Sequence, residues 1–324
     1  MAHVGARAWI GTVVAILLGG AASVAQTPES PNAGWRPPAE SERCPSKWGA
    51  GDQRGSGNHM SATSVMRAAQ LIRTGQTFEL GQVLSADMPL IGNRRWDVVY
   101  RYSGRPPQPG QRQGLTEQVT SELGQVGTQM DGFAHQAIGG SLYNCFKLQD
   151  IAGSGGMTAL GIEKAGTLIT RGVLLDIAKL KGVDALGEAY VITPEDLQQA
   201  LARLKLTLQP GDAVLINTGW GTLWIEDNVR YLRSSPGLGV AAAEWLLKQD
   251  PMLIAADNCC IEVRPVGVGP LIHTLFVAVH GVHLIENLKL DEISAAGAGE
   301  FAFVVQPLKM QGATGSPVAP TAIR

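Results

Sequence analysis

Short apolar segments alternate with amphipathic helical patterns through the second half of the chain. Segments 173–178, 213–217 and 252–256 are apolar over the length of a strand. Between them, the apolar spacing predicts one helix from Pro194 and another over 240–248. Thr193 is placed to cap the first of these helices, with a proline at the first helical position. This rhythm predicts an α/β fold.

The pattern is less regular in the first half of the chain. A helix is predicted over 62–73, and strands over 77–84 and 118–130. A loop rich in Pro, Gly and Arg over 105–113 is long enough to act as a lid. Segment 26–43 holds four prolines and few large apolar residues, which indicates an extended arm.

The last elements are a helix over 272–279, a strand over 283–288 and a buried strand over 301–307. We find no internal repeat and no linker after residue 44. The prediction is therefore one domain over 44–324, with a mixed central β-sheet or small barrel flanked by helices.

The N-terminus carries the pattern of a secretory signal peptide. Arg7 precedes an apolar stretch over 8–22, and Ser23-Val24-Ala25 forms a small-x-small cleavage signal. The alternative is a membrane anchor, but the stretch is shorter than the roughly 20 residues of a spanning helix. We expect residues 1–25 to be removed and the protein to be exported, either to a periplasm or to the medium.

Composition narrows the class of partner. The chain is 45% hydrophobic and 17% charged, which is ordinary for a globular protein. Its net charge of -2 and the absence of Lys/Arg runs exclude the electrostatic footprint of a nucleic-acid or anionic-membrane binder. A small molecule is the expected partner.

The four cysteines are too few for a disulfide scaffold in a chain of 324 residues. An oxidising compartment would permit Cys44 to pair with Cys145 or with one of the adjacent Cys259 and Cys260. We take a Cys44–Cys145 bridge as a hypothesis. The apolar flanks of Cys259 and Cys260 favour burial as small hydrophobic side chains.

Several common catalytic motifs are missing from the sequence. It contains no G-x-x-x-x-G-K-[ST], no G-x-S-x-G, no H-E-x-x-H and no C-x-x-C. Glycines over 49–55 do not follow a strand, so they do not form a dinucleotide-binding turn.

The first informative segment is 125–135, in which polar side chains recur around a Gly-Thr turn. Gln125, Gln129 and Asp131 offer oxygen donors to a hard cation, and His135 offers a base near neutral pKa. Taken alone, this pattern is more typical of a solvated polar loop than of a metal site.

The second informative segment is 271–288. His273 enters a strongly apolar helix, and Glu286 lies within an apolar strand. A buried carboxylate is costly unless it is paired or bound to a metal. A salt bridge for Glu286 and a core position for His273 are the alternatives.

Together the two segments resemble the cyclase family of metal-dependent hydrolases, which includes bacterial kynurenine formamidase and isatin hydrolase. The family motif H-x-G-T-H-x-D-x-P-x-H matches the spacing of 125–135, and a downstream His and Glu match His273 and Glu286. Similarity extends from Trp48-Gly49 to the closing segment 312–317. The resemblance implies a swivelling β/β/α fold.

Carried over residue by residue, the resemblance implies metal ligands at Asp131, His273 and Glu286, and a catalytic histidine at His135. Gln125 and Gln129 stand where the family has two ligand histidines, and Phe133 replaces its proline. Amide oxygens are harder donors than imidazoles, so one ion is expected, with Mn²⁺ favoured and Zn²⁺ possible.

The leading hypothesis is a metal-dependent hydrolase of a small cyclic amide, lactone or formamide, with His135 as general acid and base. The second is an exported small-molecule binding protein that kept the fold and lost catalysis. A third makes Cys259 or Cys260 a nucleophile with His280 or His283 as its base. Trp96 and Tyr100 are candidates to stack on a substrate ring, and the resemblance implies a homo-oligomer.

Overall fold

A computed structural model describes residues 1–2, 34–104, 106, 108–264 and 271–324. The predicted signal peptide and the first part of the predicted arm therefore lie outside the described residues. In the described part of the chain, no helix is long and apolar enough to cross a membrane.

A mixed nine-stranded sheet forms the centre of the molecule. In chain order its strands are β1 Thr77–Glu79, β2 Gln129–Asp131, β3 Leu168–Asp176, β4 Ala213–Asn217, β5 Leu253–Ala256, β6 His283–Glu286, β7 Glu300–Val305, β8 Gly315–Pro317 and β9 Thr321–Ile323. Across the sheet the order is β1-β9-β7-β3-β4-β5-β6-β2-β8. The four central strands β3, β4, β5 and β6 run parallel, and all other neighbours are antiparallel. The predicted α/β class with a mixed central sheet is confirmed.

The central strands are apolar on both faces because each face is covered. In β4, Val214 and Ile216 pack into one core cluster, while Ala213 and Leu215 pack into the other. The first cluster also contains apolar residues of the helices that cover that face. This burial on both faces explains why the parallel strands appear in the sequence as continuous apolar runs.

Helices and small strands complete the fold. The α-helices are Glu40–Arg43, Ala62–Ala69, Leu148–Ile151, Ile177–Lys181, Pro194–Leu204, Asn228–Arg233, Val240–Leu247, Leu271–His273 and Asp291–Ala295. The 3₁₀ turns are Gly55–His59, Leu123–Gln125, Tyr143–Cys145, Ile162–Lys164 and Trp220–Leu223, and a π-helix spans Thr274–His280. Paired short strands are Ala152–Gly153 with Gly156–Met157, and Val191–Ile192 with Gly237–Leu238.

A long antiparallel hairpin of strands Trp96–Ser103 and Gly114–Ser121 stands apart from the central sheet. The predicted strand over 118–130 is wrong as a single element, since it combines the second hairpin strand with β2. The break contains a 3₁₀ turn and Gly127, whose φ of 64° is the left-handed region that favours glycine. The predicted loop over 105–113 connects the two hairpin strands.

Two further sequence predictions need correction. The predicted strand over 77–84 ends at Glu79, because the following residues leave the sheet after the short pairing with β9. The helix predicted over 272–279 is α-helical only through His273 and continues as a π-helix.

Cys44 and Cys145 form a disulfide, which confirms that hypothesis. The bridge joins the segment that follows helix Glu40–Arg43 to the 3₁₀ turn Tyr143–Cys145. Cys259 and Cys260 remain free thiols.

Candidate metal centre

Strands β2 and β6 place two polar side chains next to each other at one end of the sheet. Glu286 and Gln129 are directly opposite in the antiparallel register, and the Gln129 Nε2 donates to Glu286 Oε2 at 3.0 Å. Asp131 lies two residues after Gln129 and so points to the same face of β2, whereas Met130 between them packs into the opposite core. The strand therefore delivers two polar groups to one buried point.

A tight turn brings His135 back toward β2. The His135 backbone N–H donates to the Gly132 carbonyl at 3.0 Å, and the His135 Nε2 lies 4.0 Å from Asp131 Oδ2. The His135 side chain keeps about a fifth of its surface exposed, 21%, while that of Asp131 is fully buried. His135 is thus the member of this pair that solvent reaches.

His273 enters from the opposite side, at the point where the α-helix changes to the π-helix. π-helical turns inside helices are frequent at functional sites because they re-aim side chains. The His273 Nε2 lies 2.8 Å from Glu286 Oε1 and 3.6 Å from Asp131 Oδ2, and its Nδ1 lies 3.4 Å from Glu262 Oε1. Glu262 is fixed in turn by the Ile272 backbone N–H at 2.8 Å.

The three groups that approach one another most closely are Asp131, His135 and His273. One ligand atom of each lies within 4.8 Å of those of the other two. Asp131 and His273 are buried, and Glu286 borders the group because it contacts His273. The six residues predicted from the sequence therefore meet in one place.

Burial and charge set the protonation of this cluster. Burial opposes the charge on His273, but Glu262 and Glu286 outweigh it, and the pKa of His273 is raised well above its ordinary value. Burial raises the pKa of Glu286 to about 8, although His273 opposes that shift. Burial lowers the pKa of His135, which favours a neutral imidazole able to accept a proton.

The two glutamines use their amide hydrogens on the neighbouring acids. The Gln129 Nε2 contacts Gln125 Oε1 at 3.3 Å in addition to Glu286, and the Gln125 Nε2 lies 3.5 Å from Asp131 Oδ1. The amides thus orient the carboxylates from the side away from the imidazoles. The Gln125 oxygen accepts from Gln129, so Gln129 Oε1 is the amide oxygen that has no hydrogen-bond partner among the described residues.

The donor set fits a divalent cation. Asp131 Oδ2 and Gln129 Oε1 are buried and have no hydrogen-bond partner among the described residues. Buried polar oxygens without partners are rare and call for a ligand, water or ion. Three buried carboxyl groups, Asp131, Glu262 and Glu286, surround His273, so a cation would also offset the excess of negative charge.

Glu262 is the site residue that the sequence analysis missed. Its side chain is 2% exposed although it lies between Ile261 and Val263, and that apolar flanking was the available signal. His283 also lies nearby, where it stacks on Phe133 with ring centroids 4.2 Å apart, and its Nδ1 lies 3.2 Å from the Asp131 carbonyl oxygen. Burial lowers the pKa of His283 to about 4, so it supports β2 as a neutral ring.

The candidate stacking residues differ in their environment. Trp96 packs against a cluster that contains Trp220 and Trp224, whereas Tyr100 is 77% exposed on the hairpin.

Of the candidate cysteine nucleophiles, Cys259 is buried in the same cluster as Trp220 and Trp224, and Cys260 is partly exposed beside it. His280 lies at the far end of the π-helix.

This combination of a mixed α/β sheet with an acid and imidazole cluster at its edge matches one family of known proteins. The family model described as "Putative cyclase" matches residues 78–263. A crystal structure described as that of a novel cyclase is 34% identical over 86% of this chain and 98% of its own, with a TM-score of 0.78. The chain belongs to the cyclase family.

More distant structures share the fold. Isatin hydrolase A from Ralstonia solanacearum is 19% identical over 77% of this chain and 92% of its own, with a TM-score of 0.57. Isatin hydrolase A from Labrenzia aggregata, bound to benzyl benzoate, is 18% identical over 79% of this chain and 94% of its own, also with a TM-score of 0.57. No curated protein matches the sequence.

Proposed function

We propose that the protein is a metal-dependent hydrolase of a small cyclic amide, lactone or formamide. One observation carries the proposal: Asp131, His135 and His273 converge within 4.8 Å, and the buried Asp131 Oδ2 that faces them has no hydrogen-bond partner among the described residues. Membership of the cyclase family and the isatin hydrolases of the same fold support this reaction class. We favour one divalent ion, with Mn²⁺ ahead of Zn²⁺ because most of the donors are oxygens.

In this proposal, Asp131, His273 and Glu286 hold the ion, with Gln125 and Gln129 at its edge. A bound divalent ion polarises a substrate carbonyl and acidifies a water molecule. Glu262 fixes the His273 ring through Nδ1, so that Nε2 faces Asp131 and Glu286.

His135 moves the proton. Its ring is held neutral by burial and is the part of the cluster that solvent reaches. It accepts a proton from the attacking water and returns it to the leaving nitrogen or oxygen. Asp131, 4.0 Å from the His135 Nε2, stabilises the imidazolium that this transfer creates.

The test separates metal binding from proton transfer. Elemental analysis and proton release on small cyclic amides, lactones and formamides are measured for the wild type, Asp131→Ala and His135→Gln. We expect Asp131→Ala to lose both metal and turnover, and His135→Gln to keep the metal while its turnover falls by about 10²–10⁴-fold. Asp97→Asn is the matched control, since Asp97 lies on the exposed hairpin and pairs only with Arg95 among the described residues.

Other outcomes contradict the proposal in distinct ways. Loss of metal from His135→Gln would make His135 a ligand rather than the proton carrier. Metal-free wild type that binds a cyclic amide tightly without turnover would favour the exported binding protein. Such a binding protein would retain the hydrogen bonds that the Gln129 amide donates to Gln125 and Glu286.

We also propose export and assembly into a homo-oligomer. The Cys44–Cys145 disulfide supports export, because disulfides persist in oxidising compartments. N-terminal sequencing of secreted protein tests cleavage before Gln26, and light scattering tests the assembly.

A further inference from the structure

Two adjacent cysteines lie immediately beyond the carboxyl end of β5. Cys259 Sγ and Cys260 Sγ are 2.9 Å apart, which is closer than an ordinary non-bonded contact between two sulfur atoms, and either sulfur can donate its hydrogen to the other. Cys259 is buried against Trp220 and Trp224, and Cys260 is partly exposed. One sulfur is therefore sheltered and the other is open to a small reagent.

A guanidinium group contacts both sulfurs. The Arg264 Nη1 lies 3.5 Å from Cys259 Sγ and 3.4 Å from Cys260 Sγ. A thiolate beside an arginine is stabilised, and the thiolate is the nucleophilic form of cysteine. The Cys260 hydrogen bond and Arg264 together lower the pKa of Cys259 to about 7, against the opposing effect of burial. The contact with Cys259 and burial raise the pKa of Cys260 well above its ordinary value, so the pair holds one negative charge on Cys259.

The backbone holds this pair in place. The Asn258 side chain donates to the Pro236 carbonyl and accepts from the Ile261 backbone N–H at 2.8 Å. The Asn258 carbonyl also accepts from the Asn287 backbone N–H at 2.9 Å. These contacts fix the loop on both sides of the cysteines, so the proximity of the two sulfurs is built into the fold.

We propose that Cys259 and Cys260 form a thiol–disulfide exchange site whose substrate class is a low-molecular-weight disulfide. The Cys260 sulfur attacks one sulfur of the reagent while the Cys259 thiolate accepts the Cys260 proton, which forms a mixed disulfide and releases one thiolate. Cys259 then displaces the second thiolate from Cys260, which closes a vicinal disulfide. The two protein protons end on the two released thiols, so the protein is oxidised by two electrons and the reagent is reduced by two.

We expect the vicinal disulfide between Cys259 and Cys260 to form reversibly. Consecutive Cα atoms are about 3.8 Å apart, below the usual span of about 4.4–6.8 Å between disulfide-bonded cysteines. Strained disulfides are more easily reduced and serve as labile rather than structural bonds. This distinguishes the pair from the Cys44–Cys145 bridge.

The experiment exposes the full chain to oxidised glutathione near neutral pH and follows the product by non-reducing peptide mass spectrometry. We expect the peptide with Cys259 and Cys260 to lose the mass of two hydrogens, and dithiothreitol to restore it while Cys44–Cys145 stays closed. Cys259→Ser should stop at a stable glutathione adduct on Cys260. Cys260→Ser should form neither the adduct nor the ring.

Arg264→Gln tests the role of the guanidinium. A rise of one unit from a pKa of about 7 reduces the thiolate at neutral pH about fivefold, and its greater nucleophilicity offsets part of that loss, so the rate should fall roughly twofold. Arg233→Gln is the control, because Arg233 is exposed and pairs with Glu188 rather than with a cysteine sulfur. Three results with the wild-type protein would overturn the proposal. Both thiols stay free, the reaction stops at the mixed disulfide, or exchange occurs at Cys44–Cys145 instead. Circular dichroism of each variant verifies that it folds.

Discussion

Glu262 can affect metal binding without contacting the ion, because it orients a proposed ligand. Its carboxylate faces the His273 Nδ1 at 3.4 Å and holds that ring with Nε2 toward Asp131 and Glu286. We expect Glu262→Gln to weaken Mn²⁺ binding by about 10–100-fold, as is usual when the outer partner of a ligand histidine is removed. Isothermal titration with Mn²⁺ measures this change.

The matched control for Glu262→Gln is Glu292→Gln. Glu292 is 60% exposed and pairs with Lys289, so its variant should bind Mn²⁺ like the wild type. An unchanged affinity in Glu262→Gln would mean that His273 needs no partner or is not a ligand.

We expect the glutamines at 125 and 129 to influence which metal the proposed site prefers. Gln129 is directly opposite Glu286 and contacts Gln125, so an imidazole at position 129 would face the same point. We expect Gln129→His to raise the affinity for Zn²⁺ relative to Mn²⁺ by about tenfold or more, because imidazole is a softer donor than an amide. Competition between the two ions, followed by elemental analysis, measures the ratio. A ratio equal to that of the wild type would place position 129 outside the coordination shell.

Most site residues could be predicted from the sequence because they lie in two short segments of fixed spacing. The alternation of a strand places Gln129 and Asp131 on one face, and a polar residue in an apolar strand or helix marks Glu286 and His273. Glu262 was missed because its role depends on a contact with the helix that holds His273. Its apolar neighbours indicate burial, but a contact between two elements leaves no local pattern that would assign its role.

At the scale of elements, helix Pro194–Leu204 and strand β4 agree with the sequence prediction because their signals are local. Thr193 caps the helix with Asp196, and continuous apolar character marks the strand. The π-helix and the separate hairpin were not predicted, because both depend on tertiary context. The hairpin strands are exposed on nearly every residue, so they lack the burial that makes an apolar pattern informative.

Asp196 links the stability of this helix to pH. Burial alone would raise its pKa, but Lys181, the Thr193 N–H and Tyr190 outweigh burial and lower it. A lowered pKa in the folded state adds stability above the unfolded value, and that stability is lost as the pH falls through the folded pKa. We expect Asp196→Asn to unfold more easily by about 1–2 kcal/mol at pH 7, as for loss of a cap, with a smaller difference in strong acid.

Denaturant unfolding at several pH values tests this expectation. Glu195→Gln is the control, since Glu195 lies in the same first turn but is outside the capping box. A loss of stability in Asp196→Asn that is equal at neutral and strongly acidic pH would show that the carboxylate charge does not stabilise the helix.

At the scale of the whole molecule, the Cys44–Cys145 bridge joins residues 101 positions apart in the sequence. Closing so long a loop restricts the unfolded chain, and such a disulfide typically adds about 2–4 kcal/mol to the free energy of unfolding. We expect Cys44→Ser, Cys145→Ser and the double variant to lose the same free energy of unfolding, because each removes the same bridge.

Guanidinium unfolding without reductant measures this loss, and reduction of the wild type should reproduce it. Cys260→Ser is the control, since that thiol is free and partly exposed. If the double variant were as stable as the wild type, the bridge would contribute nothing to folding, and the N-terminal segment would be held by its other contacts, such as Lys147 with Glu40.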